Sequence, residues 1–145
     1  MLPLRQNNPL APAAYNGLSS IGQQYEDKDF CKLLTVSLTA NQQLPNQAVQ
    51  LDKDADFIWC AVMASYTGQP FGVRFSDSTG LYLSDAYIGS SAFTAPTTGI
   101  GVPYVLLPSL FLPAGSAIIC DFIEQSGSNN GPISLLFRGQ KRFYR

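Results

Sequence analysis

The chain contains no histidine. This removes Ser-His and Cys-His nucleophilic schemes, the usual general base and the commonest zinc ligand together. Its three cysteines, Cys31, Cys60 and Cys120, are too dispersed for a CxxC zinc site, and a structural zinc would want four ligands. Asp52-Lys-Asp-Ala-Asp56 begins like a calcium loop, but the sixth position is not Gly and the twelfth, Met63, is not Glu. Carboxylate pairs for glycoside hydrolysis could come from Asp121 with Glu124, or from Asp77 with Asp85. Asp121 and Glu124 are three residues apart, so one strand would point them to opposite faces. Tyr82, Tyr87 and Tyr104, near loop ends, are the aromatics placed to stack on a sugar. No phosphate loop, nucleotide fingerprint or N-glycosylation acceptor occurs. The expectation is a protein that is not an enzyme and uses no cofactor or metal.

Charge narrows the partners. Net charge is −1, which argues against nucleic acid, since neutralising phosphates needs a basic face. One basic cluster exists: Arg138, Lys141, Arg142 and Arg145, opposed by the acidic run Asp52, Asp54 and Asp56. These read either as solvated strand ends or as complementary contacts with a neighbouring subunit. Charged residues make up only 13%, about half the usual share of roughly 25%. A surface so weakly charged is poorly protected against association, and an assembly would cover part of it.

The start, Met-Leu-Pro-Leu-Arg-Gln-Asn-Asn, lacks the charged region and apolar stretch of a secretory signal. No run approaches the roughly 18 apolar residues that span a bilayer. The three cysteines sit in apolar runs and read as reduced core residues made in a cytoplasm.

What must position these residues is a set of short strands. Residues 1–29, punctuated by Pro3, Pro9 and Pro12, sustain neither a period of 2 nor of 3.6 and read as an extended arm. Its scattered Leu2, Leu4, Leu10, Tyr15 and Tyr25 suit docking on a partner or on the domain's own flank. The body begins near Phe30, where Leu34, Val36 and Leu38 alternate with Thr35, Ser37 and Thr39. A short strand is expected at 48–51, and one apolar on both faces at 57–66. Phe71, Val73 and Phe75 alternate next, followed by strands at 81–88 and at 102–107, the last bracketed by Pro103 and Pro108 and so at an edge. The run 113–124, the polar Gln-Ser-Gly-Ser-Asn-Asn-Gly and the run 132–143 spell a β-hairpin, with Ile133, Leu135 and Phe137 facing inward. About eight short strands without an amphipathic helix predict an all-β antiparallel sandwich or small barrel.

The pattern of Phe57-Ile-Trp-Cys-Ala-Val, Phe71-Gly-Val-Arg-Phe-Ser-Asp77, Leu81-Tyr-Leu-Ser84, Leu112-Pro-Ala-Gly-Ser116 and Ile133-Ser-Leu-Leu-Phe-Arg-Gly139-Gln-Lys141 resembles jelly-roll cement or decoration proteins of tailed bacteriophages. The resemblance spans residues 30–143. It implies a jelly-roll β-sandwich at 30–145 behind the arm at 1–29. It also implies a dimer or trimer made in the host cytoplasm that binds the outer surface of the head. There it would cement neighbouring copies of the major capsid protein. The arm and the basic tail (Arg138, Lys141, Arg142, Arg145) are then the expected partner contacts, with no role for nucleic acid or membrane. The alternative from another class is a carbohydrate- or receptor-binding jelly-roll module of a phage fibre or tail.

Overall fold

A computed structural model describes residues 24–93 and 103–144. Among the described residues, eight strands are connected in the order β1 (Tyr25–Leu38), β2 (Gln43–Gln50), β3 (Asp56–Ser65), β4 (Phe71–Asp77), β5 (Ile88–Gly89), β6 (Tyr104–Leu112), β7 (Ala117–Glu124) and β8 (Asn130–Tyr144), with one 3-10 turn at Ser90–Phe93. They form two antiparallel four-stranded sheets, ordered β1-β8-β3-β6 and β2-β7-β4-β5. An all-β sandwich wound in this order is a jelly roll.

Alternation builds the core. Ile133, Leu135 and Phe137 of β8 and Phe71 and Val73 of β4 are fully buried, and Phe75 nearly so. With Phe57, Trp59 and Val62 of β3 and Ile118, Cys120 and Phe122 of β7 they form one cluster, to which β8 and β3 contribute from one sheet and β4 and β7 from the other. Trp59 stands edge-on to Phe75 at 5.3 Å and tilted against Phe137 at 5.6 Å. Its indole N–H donates to the Ala61 carbonyl at 3.0 Å, so the largest core side chain leaves no polar atom unpaired.

The expected closing hairpin is absent. β7 pairs with β2 and β4, whereas β8 pairs with β1 and β3, so the polar turn carries the chain from one sheet to the other. Only β4 and β5 are both consecutive in the chain and adjacent in a sheet among the described strands. Glu124 shapes the crossing. Its buried carboxylate accepts the Asn41 N–H at 2.9 Å, the Ser126 N–H at 2.7 Å, the Gly127 N–H at 2.9 Å and the Ser126 hydroxyl.

Other boundaries move as well. β1 starts at Tyr25, before the expected start near Phe30, because charged residues 26–29 pair with the end of β8. β2 is longer than the expected 48–51. β3 is central, as expected, but is buried on one face, with Ile58, Cys60 and Met63 partly exposed on the other. The strand expected at 81–88 reduces to Ile88–Gly89 and one bridge between Ser76 and Tyr82. There the Asp77 carboxylate accepts the N–H groups of Thr79 and Leu81, which bends the chain into a turn. β6 is an edge strand, as expected, and runs on to Leu112.

The cysteines are free, but they are not all core residues. Cys120 faces inward. Cys31 is exposed and Cys60 half-buried, because β1 turns its even-numbered side chains inward and a register shift follows Trp59 in β3.

Candidate interaction surface

A sheet face turned to water is normally polar. The outer face of β1-β8-β3-β6 is not. The register aligns Leu33, Leu136 and Met63 across three strands, then Cys31, Arg138, Ala61 and Val105 across four, then Gln140, Ile58 and Phe111. Leu33 is 63% exposed, Val105 56% and Phe111 49%, and Leu107 on the β6 edge reaches 87%. Polar rows border this patch. On one side Thr35 and Ser134 share a hydrogen bond of 2.9 Å, and on the other Gln140 donates to Asp29 and Arg142 to Asp27. An apolar centre inside a polar rim is the anatomy of a protein-binding patch.

The expected contact residues divide sharply. Leu2, Leu4, Leu10, Tyr15 and Arg145 lie outside the described residues. Tyr25 is half-exposed at the start of β1, with the Arg142 guanidinium 3.8 Å from its ring centroid. Arg142 donates through Nε and Nη2 to Asp27 at 2.8 and 2.9 Å. That fork holds the Asp27 carboxyl below its ordinary range and pushes Arg142 further up. Lys141 reaches Asp52 at 2.8 Å and Asp54 at 3.0 Å, and Lys32 also reaches Asp52 at 2.8 Å. Hydrogen bonds from Lys141 and then Lys32 lower the Asp52 carboxyl to about 2, against the opposing effect of burial. Burial works against the charge on Lys141, but Asp52 and Asp54 outweigh it.

Within the chain, then, Lys141 of the basic cluster pairs with Asp52 and Asp54 of the acidic run, while Arg142 pairs with Asp27 instead. Arg138 differs: it is exposed in the middle of the apolar patch and forms no ion pair among the described residues. The intramolecular pairing was hidden in the sequence because the partners stand 87 to 115 residues apart. The apolar face could have been read from Cys31, Leu33 and Val105 once the strands were paired.

Of the candidate chemical groups, Asp121, Glu124, Asp77 and Tyr104 are engaged by partners within the chain. Asp121 and Glu124 point to opposite faces of β7, as their spacing predicts. Asp77 is occupied in its own turn, and the Tyr104 ring packs 5.7 Å from Phe93. A cavity of about 410 Å³ opens between β6 and the 83–88 segment, lined by Trp59, Val62, Phe75, Leu83, Ile88 and Leu106, and among the described residues its wall holds the Tyr104 phenol but no carboxylate, thiol, Lys or Arg. Among the described residues no group of His, Cys, Asp and Glu could hold a metal ion, and no helix is long and apolar enough to cross a membrane. Comparison with protein-family models, with curated proteins and with solved structures finds no match to this chain.

Proposed function

We propose that this is a structural virion protein that binds the outer surface of a tailed-phage head and cements neighbouring major capsid subunits. The observation that carries the reading is the apolar outer face of β1-β8-β3-β6, with Leu33, Val105, Leu107 and Phe111 exposed around Arg138. Covering such a face with a partner removes apolar area from water, at roughly 25 cal/mol per Å². A shell presents many copies of the same surface, so a dimer or trimer would hold on at several points and dissociate slowly. The arm expected at residues 1–29 would supply further contacts with the shell or a sister subunit, and Arg138 would meet a carboxylate of the capsid.

The test is co-sedimentation of the purified protein with tailed-phage heads that lack it. Leu33→Glu and Val105→Glu each abolish co-sedimentation while leaving the thermal midpoint within a few degrees of the parent, and removal of residues 1–23 reduces it. Unchanged binding by both glutamate variants would overturn the reading.

A further inference from the structure

The outer face of the other sheet carries a second feature, independent of the proposal above. Arg74 of β4 and Asp121 of β7 are directly opposed in the ladder, yet they form no ion pair. Asp121 is only 7% exposed, and its two oxygens are taken: one accepts the Asn46 N–H at 2.8 Å, the other the Tyr82 hydroxyl at 3.3 Å. That second bond lays the Tyr82 ring over the guanidinium, whose carbon stands 3.8 Å from the ring centroid and 5.3 Å from that of Tyr87. Arg74 Nε is buried and has no acceptor.

The arrangement is built rather than incidental. The Leu83 N–H donates to the Phe75 carbonyl at 2.9 Å and fastens the loop onto β4. Gly72 leaves room for Tyr87, since a Cβ there would lie 3.1 Å from the Tyr87 Cβ and 2.9 Å from Ile123. The guanidinium is clamped against aromatic rings with its Nε buried, and its Nη end, which no described group accepts from, is prepared for a planar, two-oxygen acceptor. Tyr82 is 47% exposed and offers a flat apolar surface beside that position. A pyranose ring would cover it; a short acidic side chain would leave it bare.

We propose that Arg74, Tyr82 and Tyr87 form a binding site for an acidic sugar, with the sugar carboxylate on the Arg74 fork and the ring against Tyr82. Asp121 is a positioning residue, because it acts by holding Tyr82.

The experiment is a nuclear magnetic resonance titration of the full chain with glucuronate, glucose and acetate. Glucuronate shifts the Arg74 Nε–H resonance and the Tyr82 ring signals in a saturable way, while glucose and acetate each bind about tenfold more weakly. Arg74→Lys keeps the charge but loses the fork, and weakens glucuronate about tenfold. No shift of Arg74 Nε–H with glucuronate in the parent protein would overturn the proposal, whatever the variant does. Acetate binding as tightly as glucuronate would refute the sugar, and equal binding of glucose would refute the carboxylate.

Discussion

Gly139 of β8 lies so close to the Ile58 carbonyl of β3 that any Cβ would collide with it, and the same Cβ would stand 2.8 Å from the Phe57 ring. The obstacle is backbone, so it cannot swing aside as a side chain would. We expect Gly139→Ala to destabilise the fold by about 3 kcal/mol or more in urea denaturation. Gly89→Ala is the control. Its Cβ would meet nothing nearer than Ser91 Oγ at 3.8 Å, and it should cost under about 1 kcal/mol. Equal losses would show that β3 and β8 are not this close.

The alternation that placed Ile133, Leu135 and Phe137 inside was legible in the sequence, because a period of two assigns faces without knowing the neighbours. Which strand lies beside which was not. A polar turn such as 125–129 has the composition of a hairpin loop, and the crossing it makes instead is fastened by the Glu124 carboxylate. Its acceptors are spent on Asn41, Ser126 and Gly127, contacts that join β7 to the β1–β2 loop across 83 residues. The Arg74 site was hidden for the same reason: Tyr82 was visible as a loop aromatic, but not its place over Arg74.

Acid should weaken the fold in a defined window. Burial raises the Glu124 pKa, yet the hydrogen bonds from Ser126, Asn41 and Gly127 outweigh it and hold it at about 2, below the ordinary 4.5 of a glutamate. Asp52, at about 2, shifts in the same direction. The unfolded chain therefore takes up these protons first, so their stabilisation is complete above pH 4.5 and is lost as pH falls toward 2. Urea midpoints should be level from pH 7 to 5 and fall steeply below 4.5. Glu124→Gln should start lower at pH 7 and show a shallower fall. An unchanged slope in that variant would refute the assignment.

The thiols should separate by reactivity. Cys31 is exposed, Cys60 half-buried, and Cys120 wholly buried, where burial followed by the nearby Asp121 charge pushes its thiol far up. A disulfide reagent should label Cys31 quickly and Cys120 only on unfolding, as peptide mass spectrometry would record. Fast labelling of Cys120 in the native protein would contradict the packing of β7.

Trp59 is the single tryptophan, 1% exposed between Phe75 and Phe137. Native emission should be blue-shifted and should move to the red in one step on unfolding. Trp59→Ala should cost about 3–5 kcal/mol. Red emission from the folded protein would contradict this core.

The attachment claim is tested most directly by cryo-electron microscopy of tailed-phage heads incubated with the purified protein. The account predicts ordered density across the joints between capsid subunits, with the β1-β8-β3-β6 face and its Leu33, Val105 and Phe111 turned toward the shell. Bare joints at saturating protein, or density attached through the opposite sheet, would contradict it.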